Sequence, residues 1–114
     1  MIIDIDPIAC PRPRVTKFGT YYPKKYKAFL THLRIKLNKL PVCNSLNVIF
    51  VLKRPQRLSK KLNYRIAHDK KPDLDNLIKS VCDALPFDDK LISKIPAEKY
   101  YASPGESAKI IIKT

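Results

Sequence analysis

Carboxylates and a lysine that could act together on a substrate lie between residues 71 and 89. The run Lys71-Pro72-Asp73-Leu74-Asp75-Asn76-Leu77-Ile78-Lys79 is followed closely by Phe87-Asp88-Asp89. Six of the ten carboxylates fall between Asp69 and Asp89, although the chain has a net charge of +13. Because like charges this close repel one another, the pattern predicts that a cation binds among them.

Magnesium suits this set of side chains. Mg²⁺ prefers oxygen ligands, takes only a few carboxylates, and completes its shell with water and substrate phosphate. Asp73 and Asp75, two residues apart at the start of a predicted helix, can converge on one point in front of it. An ion held there polarises a phosphodiester oxygen and activates water. Lys79, one turn later, would stabilise charge developing on the phosphate or the leaving oxygen. The residues therefore favour a magnesium-dependent nuclease.

Each of these residues also has an ordinary structural interpretation. Aspartates at a helix N-terminus cap the helix and interact well with its dipole. Asp75 and Lys79 are spaced like an i,i+4 ion pair, and Asp88-Asp89 is typical of a turn. The metal site is favoured because all of these acids occur together in a basic chain.

The helix that would position these groups is predicted from about Leu74 to Leu85, and Pro86 ends it. Its apolar stripe follows helical spacing and consists of Leu74, Leu77, Ile78, Val81, Cys82 and Leu85. At about 100° per residue, Asp75, Lys79 and Asp83 share a different face of the helix. That face can look into a cleft.

The other elements predict an α+β fold, a single small domain over residues 1–114 with a mixed sheet and two main helices packed on it. A first helix is predicted from about Lys24 to Lys39, with an apolar stripe of Tyr26, Phe29, Leu30, Leu33 and Leu37. Predicted strands cover Met1–Ala9, a central Leu46–Leu52, Leu91–Ala102 with a possible break at Pro96, and Ala108–Lys113. The last two strands are predicted to pair as an antiparallel hairpin. Gly19 is predicted to supply a turn between short extended pieces.

Charge and composition restrict the partners and the compartment. An excess of +13 favours an anionic partner, most simply nucleic acid. No apolar run approaches the roughly 20 residues that span a bilayer, which predicts no membrane association. The N-terminus lacks the basic region of a signal peptide, so a cytoplasmic location is expected. The spacing of the three cysteines fits neither a disulfide framework nor a metal site, and neither histidine has metal-ligand spacing.

Basic residues outside the helices are the expected phosphate contacts, because their side chains can reach a DNA backbone. The segment from Lys53 to Lys71 is predicted to be an exposed loop rich in such residues. The candidate DNA-binding residues are Arg12, Arg14, Arg57, Lys60, Lys61, Arg65, Lys70 and Lys71.

The residues from Lys71 to Asp89 resemble the RusA family of Holliday junction resolvases, which is common in bacteria and their prophages. The matching pattern is Asp73-Leu74-Asp75-Asn76-Leu77-Ile78-Lys79, then Asp83-Ala84-Leu85, then an acidic pair. Arg12-Pro13-Arg14 and Tyr22-Pro23 before a helix also resemble many members. Family members usually have a longer connection before the acidic pair than Pro86-Phe87.

This resemblance implies a homodimer that binds four-way, branched DNA and makes paired cuts using Mg²⁺. By matching positions, Asp73, Asp75 and Asp89 would bind the metal, and Lys79 would be the catalytic lysine. Because the connection is short, Asp88 and Asp89 both stay candidates for the third acid.

Two other functions remain open beside the nuclease. The chain could be a basic DNA-binding protein without catalysis, a degenerate family member in which the acids serve only as caps. It could also bind an acidic protein partner, in which case it would lack salt-dependent affinity for DNA.

Overall fold

The fold is built from two helices and a mixed sheet. The computed structural model describes residues 1–11, 14–17, 19–58 and 62–114. In chain order the elements are β1 (Ile2–Ile3), β2 (Arg14–Thr16), β3 (Gly19–Tyr21), α1 (Lys24–Leu37), β4 (Asn47–Leu52), β5 (Ile66–Ala67), α2 (Leu74–Ala84), a 3-10 helix (Asp89–Leu91), β6 (Ala97–Tyr101) and β7 (Lys109–Lys113).

The main sheet has five strands in the order β1-β7-β4-β6-β5, and β2 and β3 form a separate hairpin. β4 pairs parallel with β6 and antiparallel with β7, so the sheet is mixed. β1 and β5 complete its two edges as short antiparallel strands. The predicted α+β class, with a mixed sheet and two helices, is confirmed.

Both predicted helices are confirmed, and each begins at the expected residue. The five apolar residues predicted to form the stripe of α1 are all buried. They join Leu77 and Val81 of α2 and alternate residues of β4 in one hydrophobic core. Because side chains alternate along a strand, Val48, Phe50 and Leu52 present one face of β4 to the helices. The central position predicted for this strand is also confirmed.

The predicted C-terminal hairpin is wrong, because β4 lies between β6 and β7 in the sheet. The connection from Ala102 to Ala108 crosses the end of β4, where the Ala102 amide donates to the Leu52 carbonyl at 2.8 Å. Gly105 adopts φ 80° in this connection, a conformation that glycine allows at little cost. The turn predicted at residues 103–106 exists, but it joins strands that are not neighbours.

Three other boundaries differ from the predictions. The N-terminal strand is only Ile2–Ile3. The strand predicted from Leu91 begins at Ala97, after Pro96, and a 3-10 helix precedes it. The basic segment predicted as an exposed loop contains β5 and is partly anchored, since Arg54 Nη2 donates to the Leu62 carbonyl at 2.9 Å.

Candidate active site on the second helix

α2 presents opposite sides to the core and to solvent. Leu77, Ser80, Val81 and Ala84 are buried on the inner side. Asp75 and Lys79 are exposed one turn apart on the outer side. We call this outer side, with Asp73 at its start, the carboxylate face. The structure thus keeps Asp75 and Lys79 together, as the helical spacing predicted.

Asp83, the third residue predicted on this face, has a structural partner. Its Oδ2 accepts a hydrogen bond at 2.9 Å from the hydroxyl of Tyr26, which is buried on α1. Desolvation and this contact raise the pKa of Tyr26 far above its ordinary value, so the hydroxyl stays protonated and donates. Asp83 therefore ties α2 to α1.

The two acids at the start of α2 keep most of their oxygen atoms available. Asp73 is the N-cap residue, but its carboxylate makes no capping hydrogen bond within the described chain. Asp75 accepts one hydrogen bond, at 2.9 Å from the amide of Asn76. The positive end of the helix dipole favours both negative charges. Among the described residues no ion pair forms between Asp75 and Lys79, so the i,i+4 pair considered from the sequence is not observed.

The backbone that leads into Asp73 is fixed by a lysine from the sheet. Lys99 Nζ donates to the Lys70 carbonyl at 2.7 Å and to the Pro72 carbonyl at 2.8 Å. On the far side, the Cys10 amide donates to the Asn76 carbonyl at 2.9 Å. The start of the carboxylate face is therefore held from both the sheet and the N-terminal segment.

Sequence reasoning missed Lys99. A signal was present, because Lys99 alternates with Ala97 and Tyr101 along β6 and so shares their side of the strand. A lysine at the partly buried positions of a strand needs acceptors. The sequence could indicate that need, but it could not show which carbonyls would meet it.

The two residues of the acidic pair after α2, Asp88 and Asp89, have different surroundings. Asp88 caps the 3-10 helix, since its Oδ1 accepts from the Lys90 amide at 3.0 Å, and Oδ2 lies 3.6 Å from Lys90 Nζ. Asp89 lies near Cys82, whose thiol pKa is raised by burial and further by the charges of Asp89 and Asp83.

Cys82 lies on the second helix, and the charge of Asp89 acts on its thiol. Cys82 follows Asp75 by seven residues, which is nearly two full turns, so both lie on the same side of α2. The rise of the helix separates them by about 10 Å along the axis. Within the described ranges, no three His, Cys, Asp or Glu side chains form a group that could hold a metal.

The residues at the start of α2 fit magnesium by their chemistry. Mg²⁺ is usually bound by one or two carboxylates plus substrate phosphate, rather than by a complete cage of protein ligands. Asp73 and Asp75 offer exposed carboxylate oxygens two positions apart in the sequence. With such an open pair, water and the substrate phosphate complete the coordination shell of the ion, so a third protein ligand is not required.

The candidate DNA-binding residues differ in whether their side chains are described, and in whether those side chains are exposed or paired within the protein. Lys70 and Lys71 are exposed immediately before Asp73, and Arg57 is exposed beyond β4. Arg65 instead forms a bidentate pair with Glu106, with Nε to Oε1 at 3.0 Å and Nη2 to Oε2 at 2.5 Å. The structure describes only the backbone of Arg14, in β2. Arg12, Lys60 and Lys61 lie outside the described residues.

Neither histidine lies at the carboxylate face. His32 is exposed on α1. His68 is buried, and its ring packs against Tyr101 with centroids 4.4 Å apart. Burial, followed by the charge of Lys99, lowers the pKa of His68, which favours the neutral ring of a core residue.

A comparison with protein families identifies the class of this chain. Residues 4–113 match the model of the RusA family, described as "Endodeoxyribonuclease RusA". The match covers nearly the whole chain, and the protein therefore belongs to the RusA endodeoxyribonuclease family. This membership confirms the resemblance found in residues 71–89 and supports a nuclease activity. The comparison with curated proteins found no match. None of the described helices is long and apolar enough to cross a membrane.

Proposed function

We propose that this protein is a Mg²⁺-dependent endodeoxyribonuclease that resolves four-way DNA junctions by paired cuts. The observation that carries the proposal is the carboxylate face, where Asp75 and Lys79 are exposed together on α2. Family membership supports a deoxyribonuclease, and the net charge of +13 favours an anionic substrate.

Asp73 and Asp75 are the proposed principal ligands of the ion, because both are exposed at the positive end of α2. We assign the third acidic role to Asp89, since Asp88 is already occupied as the cap of the 3-10 helix. When bound, Mg²⁺ supplies positive charge to the phosphate and lowers the pKa of water. Asp89 lies in the 3-10 helix that follows α2, and it is proposed to act when the phosphate backbone lies along the face.

Lys79 is proposed to stabilise negative charge on the phosphate that is cut. Its ammonium is exposed and makes no ion pair in the described part of the chain. A cation without a protein partner remains available to an anionic substrate, and one positioned donor of this kind contributes substantially to a transition state.

The paired cuts are proposed to come from two copies of the chain. Each copy offers one carboxylate face, whereas a four-way junction has two symmetry-related strands to cut. A two-fold dimer is the usual way to present identical sites to a symmetric substrate.

The test is cleavage of a synthetic four-way junction by the wild-type protein and by Asp75→Asn, with and without Mg²⁺. We expect Mg²⁺-dependent paired cuts from the wild type and no detectable cleavage from the variant. Junction binding should be unchanged or tighter, because the variant removes repulsion against phosphate. Cleavage by Asp75→Asn at a near wild-type rate would overturn the site assignment.

A non-catalytic DNA-binding protein is the second candidate. It is favoured by the short connection Pro86-Phe87 before the acidic pair. The same assay separates the two functions. Salt-dependent binding of the junction without cleavage at any Mg²⁺ concentration would establish the second.

A further inference from the structure

α1 carries positive charge on both edges of its buried stripe and contains no acidic residue. At about 100° per residue, Lys27 and Arg34 lie along one edge, and Lys25 and Lys36 lie along the other. All four are exposed. The two edges therefore have equal charge but different neighbours.

Only the edge with Lys27 and Arg34 is shown to face α2. Arg34 Nη2 donates to the backbone carbonyl of Asp83 at 3.1 Å. A groove follows this edge and is lined by Tyr22, Lys27, Leu30, Thr31, Arg34 and Asp83. We call it the α1–α2 groove.

The groove has net positive charge. Its one carboxylate, Asp83, already accepts the Tyr26 hydroxyl. Neither Lys27 nor Arg34 takes part in an ion pair within the described ranges. These two cations are therefore available to an anionic ligand, as Lys79 is.

The groove continues into the carboxylate face. Asp83 is one helical turn from Lys79, which places the two on adjoining parts of α2. Tyr22, which lines the groove, contacts the N-terminal segment through Cys10 Sγ, 3.9 Å from its hydroxyl. That contact raises the pKa of Tyr22, and the charge of Lys79 opposes the shift.

We propose that the α1–α2 groove binds the sugar-phosphate backbone of the DNA strand that is cut, with Lys27 and Arg34 contacting phosphates. This inference rests on the proposed nuclease function. It adds a DNA-binding surface on a helix to the DNA-binding residues predicted outside the helices. Asp83 and Asp75 are eight residues apart, about 12 Å along α2. At about 3.4 Å per nucleotide, the phosphate contacted by Arg34, which touches Asp83, lies roughly three or four nucleotides from the cut.

The first test compares two double variants that remove equal charge from one helix. Lys27→Gln with Arg34→Gln should lower the salt slope of junction binding by about two. Lys25→Gln with Lys36→Gln is the matched control and should leave the slope near the wild-type value. Binding is measured in EDTA, so that no cleavage occurs. Equal slopes for the two double variants would overturn the inference.

The second test uses the wild-type protein, so it does not depend on the variants folding. A neutral methylphosphonate is placed at each position of the cut strand in turn. Weaker binding with the substitution three or four nucleotides from the cut supports the groove, and no effect there overturns it. If the wild type neither cuts nor binds DNA in a salt-dependent way, the proposed function itself fails. If it does both and these tests fail, only the groove is wrong.

Discussion

The carboxylate face and the cluster around Glu106 use charge in opposite ways. On the carboxylate face, Asp75 and Lys79 are exposed and unpaired among the described residues. Glu106, by contrast, accepts hydrogen bonds from Arg65 and from Ser103, and lies 3.5 Å from Lys109 Nζ. The Glu106 carboxylate is therefore paired within the fold, whereas Asp75 and Lys79 remain available for a ligand.

The difference shows how a functional acid is distinguished from a structural one. Hydrogen bonds from Arg65 and Ser103 outweigh burial and lower the pKa of Glu106 from 4.5 to about 2. The interactions that lower this pKa form only in the folded state, so they stabilise the folded protein. Removing a residue of the carboxylate face should therefore impair activity, and removing Glu106 should impair stability.

After the loss of cleavage expected for Asp75→Asn, the next largest effect on activity is expected at Lys79. Lys79→Ala should slow junction cleavage by about a hundredfold or more, the scale of losing one transition-state donor. Its free energy of unfolding should change by less than about 0.5 kcal/mol, because the side chain is exposed. Lys79→Arg keeps the charge but replaces a compact ammonium with a planar group, so it should restore binding without full activity. Normal cleavage by both variants would make Lys79 a surface residue.

The reverse result is expected at Glu106. Glu106→Gln removes the charge that Arg65 and Lys109 face, and should lower the free energy of unfolding by about 2 kcal/mol. Cleavage per folded molecule should be unchanged. Glu98→Gln is the matched control, because Glu98 is exposed on β6, and should cost less than about 0.5 kcal/mol. Equal denaturation midpoints for the two variants would show that the Glu106 cluster does not contribute to stability.

The pH dependence of stability gives a second measurement on the Glu106 cluster. The folded pKa of Glu106 is about 2 against 4.5 for the ordinary carboxyl. The stabilisation is therefore complete above about pH 4.5 and is lost as the pH falls from 4.5 through 2. Urea denaturation between pH 6 and 2.5 should show a smaller loss of stability for Glu106→Gln than for the wild type. Identical losses would contradict the assignment.

The sequence predicted the helices better than the sheet, for a physical reason. The stripes of α1 and α2 come from spacing within one segment, so local residues determine them. Strand pairing depends on distant residues, and the turn at Gly105 suggested a hairpin that β4 interrupts. The connection of residues 102–108 is long enough to cross the roughly 10 Å that separates strands two places apart. β5, at two residues, is too short to give a periodic signal, and only Ile2–Ile3 of the alternating N-terminal stretch forms a strand.

The candidate site, like the fold, could be predicted only where the spacing of residues within one segment determines it. The spacing of Asp75 and Lys79 along one helix was sufficient to predict that they share a face. The different roles of Asp88 and Asp89 depend on the 3-10 helix, which the sequence did not indicate. The bidentate pairing of Arg65 with Glu106 joins residues 41 positions apart, so the sequence alone left Arg65 among the exposed basic residues.

Lys99 gives the smallest expected effect and the most direct test of how the carboxylate face is held. Its two hydrogen bonds to the carbonyls of Lys70 and Pro72 fix the backbone immediately before Asp73. Lys99→Met keeps the length of the side chain but donates no hydrogen bond, so Asp73 should lose its fixed position relative to Asp75. Supporting residues of this kind typically contribute a factor of ten or more to metal affinity.

We expect Lys99→Met to raise the Mg²⁺ concentration for half-maximal cleavage about tenfold, while saturating Mg²⁺ recovers most of the rate. Lys99→Arg should recover part of the affinity, because a guanidinium can still donate to both carbonyls. Lys113→Met is the matched control, since Lys113 is exposed on β7. Tb³⁺ luminescence titration measures ion binding without relying on cleavage. If Lys99→Met shows an unchanged Tb³⁺ affinity and an unchanged Mg²⁺ requirement, Asp73 and Asp75 are positioned by α2 alone. The structure favours the other outcome, because the helix constrains Asp75 within its first turn, whereas Asp73 lies at the N-cap with its backbone in the extended region.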